Sequence, residues 1–245
     1  MKAIILAAGM SKRLRPVTNK IPKCLLKLDE RTTILSYQMN SLIKCGIEDI
    51  IVVVGYMKNL VLNYLYQQHY YNYTEVVYNK LFSETDNAYS LSLALDRVND
   101  RKESVIVLDG DVIFDIELIK NLLSSKDRNI IVANNDKKID NEDSKVAIKD
   151  GYVVGIGKEI KGDTVYTSII KLGGEFLSAF KKKLKEPRTK LEWYSGPLNR
   201  LLELYPKEVS VSFTNGIDVS EVDTIEDLIH AREIYRRLRG KYEPR

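Results

Sequence analysis

Residues 6–25, LAAGMSKRLRPVTNKIPKCL, set three small residues ahead of a run of cations. Ala7, Ala8 and Gly9 would let backbone N–H groups come close to a phosphate or a base. Lys12, Arg13 and Arg15 follow at once, and Lys23 returns after Pro22. Arg13 and Lys23 could then reach charged oxygens that the backbone leaves unneutralised. A plain strand-to-helix loop needs solvated charge, but it does not need this order of residues. The stretch is suited to holding an anion.

Two further segments carry carboxylates. VIVLDGDVIF, residues 105–114, is an apolar run that ends in Asp109-Gly110-Asp111. Hard oxygen donors near phosphates suit Mg²⁺, which takes one or two carboxylates plus substrate oxygens and water. Read alone, the segment is also an ordinary Asp-Gly turn. GIDVSEVDTIEDL, residues 216–228, places Glu221 and Asp223 just before a helix. Read alone, Asp223 complements the helix dipole and nothing more. Thr85, Asp86 and Asn87 likewise suffice as caps for a helix, and Lys158 as a solvent-facing strand residue. Trp193-Tyr194 fits a core pair that opens a helix.

These residues need a scaffold that gathers strand ends. KAIILAA is the continuous apolar run of a strand buried on both faces. A helix follows at about 33–45 with Gly46 as its stop, then a strand IIVVVG and a helix at about 58–68. EVVYN, a helix at about 88–97, SVIVLDGD, a helix capped by Asp115 and NIIVAN continue the alternation. This is an α/β chain with a doubly wound, mostly parallel, Rossmann-like sheet. After about residue 140 two short strands meet at Asp150-Gly151, a hairpin signal. VYTSIIKL, helices at about 174–185 and 190–204, and the strands EVSVSF and IDVSEVD come next. Thr224 and Asp227 form a capping box for a last helix that presents Leu228, Ala231, Tyr235 and Leu238. The reading is one domain over 1–245, with a front half to about 135 and a small antiparallel extension behind it.

Composition narrows the partners. The chain has 245 residues, 44% hydrophobic and 29% charged, with a net charge of +4. Spread cations of so mild an excess argue against a nucleic-acid binder. No apolar run approaches a membrane span, and MKAIILAAG is too short for a signal peptide. Two cysteines in a chain this large suggest a reducing cytoplasm. Cys24, Cys45, His69 and His230 show no zinc spacing, and both histidines are expected at the surface.

LAAG-M-S-K-R-L-R-P-V-T…I-P-K-C-L resembles the N-terminal signature of the sugar-phosphate and phospho-alcohol nucleotidyltransferases. One departure is Ser11, where that family usually has a second glycine. The resemblance runs the length of the chain and implies the nucleotide-diphospho-sugar transferase fold. It implies that Arg13 grips the β- and γ-phosphates and Lys23 the α-phosphate. Leu6, Ala7, Ala8, Gly9, Ser11 and Lys12 would line the nucleotide, with Asp109 beside them. Asp111 and Asp223 become ligands of Mg²⁺, with Glu221 as a weaker neighbour. N-A-Y-S-L looks like the base and ribose segment of the cytidylyltransferase branch, so Thr85, Asn87 and Ser90 would meet CTP. KDGYVVGIGKEI looks like the inositol-1-phosphate cytidylyltransferases, so Lys158 would meet the acceptor phosphate. Trp193 and Tyr194, with Glu192, would wall the acceptor pocket.

The implied reaction is CMP transfer to inositol 1-phosphate or phosphocholine, with release of pyrophosphate. A homodimer is left open. A sugar-1-phosphate nucleotidyltransferase using UTP, dTTP or GTP is the near rival. A glycosyltransferase using Asp109-Gly110-Asp111 as its D-x-D, and a non-catalytic nucleotide-binding module, are the distant ones.

Overall fold

A computed structural model of the chain describes residues 1–99 and 103–242. The front half holds β1 (Lys2–Ala7), α1 (Ile34–Lys44), β2 (Ile50–Val54), α2 (Lys58–Gln67), β3 (Thr74–Tyr78), α3 (Asn87–Leu95) and β4 (Val105–Asp109). It continues with β5 (Val112–Phe114), α4 (Ile116–Ser124) and β6 (Ile130–Asn134). Then come β7 (Lys145–Lys149), β8 (Tyr152–Gly157), β9 (Thr164–Leu172), α5 (Gly174–Lys183) and α6 (Ser195–Leu204). β10 (Ser210–Phe213), β11 (Val219–Glu221) and α7 (Ile225–Tyr242) end the chain's described elements.

β1 explains the layering. Ala3, Ile5 and Ala7 pack with Leu35 and Met39 of α1, Val61 of α2 and Leu118 of α4. Ile4 and Leu6 point the other way, toward Leu91 of α3, Leu177 of α5 and Leu198 of α6. One strand therefore feeds two cores, as a doubly wound sheet requires. Each fully buried aliphatic side chain contributes about 1.5–3 kcal/mol by leaving water. A third cluster sits under α7, where Leu228, Ala231, Tyr235 and Leu238 meet Leu14, Leu28, Ile34 and Val222.

Among the described residues nine strands form one sheet in the order β3-β2-β1-β4-β9-β6-β10-β8-β7. β1, β2, β3 and β4 pair in parallel, as do β6 and β10. β9 departs from that pattern: it runs antiparallel to both β4 and β6 in the middle of the sheet. The back half is thus woven into the front half's sheet. β5 and β11, each three residues long, form a separate antiparallel pair. Only that pairing reveals β5, because its three apolar residues look continuous with β4.

The expected punctuation is present. Gly46 has φ +78° just beyond α1, and Asp150 and Gly151 have φ +52° and +81° at the β7–β8 turn. Asp115 accepts from the Glu117 N–H at 3.0 Å and caps α4. The helix expected at about 190–204 differs. A 3₁₀ turn covers Pro187–Leu191 and α6 starts only at Ser195. The intervening chain is claimed by α3, whose Asp86 and Ala88 N–H groups donate to the carbonyls of Lys190 and Glu192. Both histidines are exposed. No helix among the described residues is long and apolar enough to cross a membrane.

Candidate active site

β1 and β4 are parallel neighbours, so Ala7 and Asp109 arrive at the same sheet edge. Gly110 locks the two together. Its N–H donates to the Leu6 carbonyl at 2.9 Å, and a Cβ there would stand 2.7 Å from that oxygen. No larger residue fits so close an approach. From below, Gln38 of α1, fully buried, donates to the carbonyls of Asp109 at 2.8 Å and Val112 at 2.9 Å. The carboxylate turn is therefore held on both sides.

The small-residue loop is braced as firmly. The Tyr56 N–H donates to the Ala8 carbonyl at 3.0 Å. Buried Thr18 donates its hydroxyl to the Ser11 carbonyl at 2.8 Å, and Tyr56 OH donates to the Thr18 carbonyl at 3.0 Å. Ser11 itself stands at φ +49°, ψ +50°, the left-handed region that favours glycine. Leu14, buried among the α7 residues, anchors the turn that carries Lys12 and Arg13.

Asp223 reaches this edge by a different route. β11 pairs with β5, and the Val222 N–H donates to the Asp111 carbonyl at 3.0 Å. The capping box then fixes Asp223 from behind. Asp227 Oδ2 accepts from the N–H groups of Asp223 at 3.0 Å and Thr224 at 2.8 Å.

Lys23 closes the constellation. Its ammonium donates to Asp111 Oδ2 at 2.7 Å and to Asp223 Oδ1 at 2.8 Å. Arg13 reaches the same Asp223 oxygen at 2.8 Å. Burial alone would lower the Lys23 pKa, but the two carboxylates outweigh it and the net shift is upward. Burial likewise opposes ionisation of Asp223, and Lys23 with Arg13 reverses it to a net lowering. Lys23 and Asp223 thus hold each other in their charged forms. Among the described residues no three His, Cys, Asp or Glu side chains form a ligand set. Asp111 and Asp223, two hard carboxylates sharing one cation, are the pair that fits a divalent ion with oxygen-rich substrate.

Residues 2–144, more than half of the chain, match the family described as nucleotidyl transferase. The chain belongs to that family. Over 194 residues it is 27% identical to the CTP:phosphoglutamine cytidylyltransferase of Campylobacter jejuni, covering 73% of this chain and 75% of the relative. It is 28% identical to the choline-phosphate cytidylyltransferase of Haemophilus influenzae, covering 94% and 95% of the two chains. The solved inositol-1-phosphate CTP transferase of T. maritima superposes with a TM-score of 0.81 at 26% identity, covering 97% of this chain and 96% of that one. The chain is an enzyme with the nucleotide-diphospho-sugar transferase fold.

The remaining site residues of this nucleotidyltransferase are distributed unevenly. Thr85 and Ser90 both accept from Asn79 Nδ2, at 3.1 and 3.0 Å. Asn87 Oδ1 accepts from the Tyr194 N–H at 2.9 Å, which ties the α3 start to the back half. Asp109 is half-buried, with its Oδ1 enclosed and unpartnered among the described residues. Burial, then the charges of Asp111 and Glu221, push its carboxyl well up. Glu221 is raised to about 7, by burial first and Asp111 next, with the Ser168 hydroxyl opposing.

Trp193 and Tyr194 do not share a wall. Trp193 is exposed, whereas Tyr194 is buried with its hydroxyl 2.8 Å from that of Tyr166. The segment between the 3₁₀ turn and α6 turns consecutive side chains to opposite sides. Glu192 is bound to Arg200 at 2.8 Å. Lys158, at the end of β8, pairs with Glu142 at 2.6 Å rather than with the Lys23 cluster. Sequence reasoning missed Gln38, Asn79 and Ser168. The available signal for Gln38 was a polar residue at core spacing between Leu35 and Leu42.

Proposed function

We propose that the enzyme transfers CMP from CTP to the phosphate of a small phosphorylated alcohol, releasing pyrophosphate. The observation that carries this reading is the Lys23–Asp111–Asp223–Arg13 cluster at the edge where β1 and β4 end. Two cations stand beside two carboxylates and a small-residue loop, an arrangement for polyphosphate. CTP as donor is supported by the cytidylyltransferases that the chain resembles over most of its length.

Arg13 and Lys23 act on the triphosphate, Arg13 toward the leaving pyrophosphate and Lys23 toward the α-phosphate. The loop from Leu6 to Lys12 positions the nucleotide, with Thr85, Asn87 and Ser90 near the base and ribose. Mg²⁺ is the proposed cofactor; held by Asp111 and Asp223, it would supply further neutralisation of phosphate charge. A phosphate monoester has its second pKa near ~6, so the acceptor is already a nucleophile at neutral pH. Positioning and charge neutralisation then suffice, and no general base is required.

The proposed acceptor is a small phospho-alcohol, inositol 1-phosphate or phosphocholine, and one atom of the site is open to a hydroxyl donor. The enclosed Asp109 Oδ1 lacks a donor, the half-buried Glu221 lies beside it, and Tyr166 and Tyr194 pair nearby. A buried acceptor atom without a partner calls for one from the substrate. Lys158 is proposed to meet the acceptor phosphate after leaving Glu142, with Trp193 at the pocket mouth.

The test is a matrix of four nucleoside triphosphates against a panel of phosphorylated acceptors, read by pyrophosphate release. CTP with inositol 1-phosphate or phosphocholine should give the strongest signal. Turnover confined to UTP or dTTP with glucose 1-phosphate would overturn the cytidylyl assignment. Transfer from a nucleotide-sugar without pyrophosphate would instead make it a glycosyltransferase.

A further inference from the structure

Lys23 donates to both carboxylates on which a divalent ion would depend. An ammonium sits 2.7 and 2.8 Å from those oxygens, whereas Mg²⁺ binds its ligands at about 2.0–2.1 Å. The same lone pairs cannot serve both, and two cations at one oxygen repel. Arg13 adds a second positive charge on Asp223. The cluster of two carboxylates and two cations is therefore neutral, and a metal entering alone gains little attraction.

The geometry also says what would free the carboxylates. The Lys23 side chain is 11% exposed, and a buried ammonium is costly without an anion beside it. Its backbone turn is pinned by buried Cys24 and Leu25, so the ammonium moves only on its four-carbon stem. It can leave Asp111 and Asp223 only for another anion within that reach. A triphosphate is such an anion.

We propose that Lys23 is a tethered competitor for the metal position. It holds the two aspartates in the free enzyme and yields them when nucleotide draws the ammonium away. Metal and nucleotide then enter interdependently, and the idle site stays closed to divalent ions. This rests on the nucleotidyltransferase reading of the cluster.

The test is Mn²⁺ binding to the nucleotide-free enzyme, measured from the electron paramagnetic resonance signal of unbound Mn²⁺. Lys23→Met and Lys23→Gln should each bind Mn²⁺ roughly tenfold or more tightly than wild type, because a competing cation is gone. Lys23→Arg, which keeps the charge, should bind as weakly as wild type. Adding Asp223→Asn to Lys23→Met should abolish the gain. Lys23→Gln retains an amide donor for the aspartates, so it covers the case in which Lys23→Met does not fold. CTP should tighten Mn²⁺ binding more in wild type than in either neutral variant, and Mn²⁺ should tighten CTP reciprocally.

Equal or weaker Mn²⁺ binding by folded neutral variants overturns the proposal. If those variants also lose pyrophosphate release, the transfer reading survives that failure. Absence of pyrophosphate release from wild type across the whole matrix sinks the transfer reading, while a gain in Mn²⁺ affinity would still establish the competition.

Discussion

The backbone N–H of Val222 donates to the carbonyl of Asp111 at 3.0 Å. That bond extends the β5–β11 ladder by one step, sets Val222 opposite Asp111 and leaves Asp223 one residue further on, beside the carboxylate turn. Neither aspartate is placed by its own strand alone. The ladder supplies the spacing, and the box between Thr224 and Asp227 supplies the angle.

Asp111→Asn and Asp223→Asn should each lower kcat by about two orders of magnitude or more, the scale of losing one preorganised electrostatic contact. Steady-state pyrophosphate release checks this. The double variant should be little worse than either single one, since both disable the same cluster. Normal turnover in Asp223→Asn would leave that residue a helix cap only.

Arg13→Ala should weaken transition-state binding by about 2–4 kcal/mol in kcat/KM for the nucleotide. The acceptor KM should hardly change if Arg13, which touches Asp223, acts on the triphosphate as proposed. A variant that raised only the acceptor KM would put this cation on the wrong substrate.

Ser11→Gly should raise the thermal midpoint slightly. A left-handed serine costs about 1–2 kcal/mol, and the greater unfolded freedom of glycine offsets part of it. The net gain is up to about 1 kcal/mol, or roughly 2–4 °C for a chain of this size. Scanning calorimetry reads the shift, and a lower midpoint would show that the backbone at φ +49° is relaxed.

Acid stability should depend on Asp115. Burial raises its pKa, but the Glu117 N–H, Lys241 and Tyr242 bring the net value below the ordinary range. A depressed carboxyl contributes its full stability above the unfolded value of about 3.9 and loses it as pH falls through the folded value. Asp115→Asn keeps a competent helix cap but loses the charge that faces Lys241 and Tyr242, at a cost of up to about 1 kcal/mol at pH 7. In urea titrations that gap should close toward about pH 2. A gap independent of pH would exclude the charge as its source.

Much of the site could be read from the sequence because its parts are local. A strand, a small-residue turn and a following cation are contiguous in residues 6–25, and so is the run into Asp109-Gly110-Asp111. Asp223 comes into view only through the resemblance of its segment to the family, since alone it reads as a helix-dipole partner. What escaped depends on chain segments that meet only in space. A three-residue strand such as β5 has no period of its own, and its partner β11 lies far along the chain. The facing of Trp193 and Tyr194 is decided by bonds to α3, not by their own spacing. Asn79 and Gln38 are polar residues on buried surfaces, and their use becomes visible only with the turns they support.

β9 has a consequence for how the protein must be made. During synthesis β1 to β4 and later β6 leave the ribosome first, yet the edges of β4 and β6 face each other across a gap one strand wide. Residues 164–172 fill that gap. Until they emerge, the nascent chain carries two unprotected strand edges, the kind of surface that recruits other chains. Completion waits on a contact that is distant in sequence, so folding is slower than the local helices alone would allow. The two halves should therefore fail to fold when expressed as separate modules.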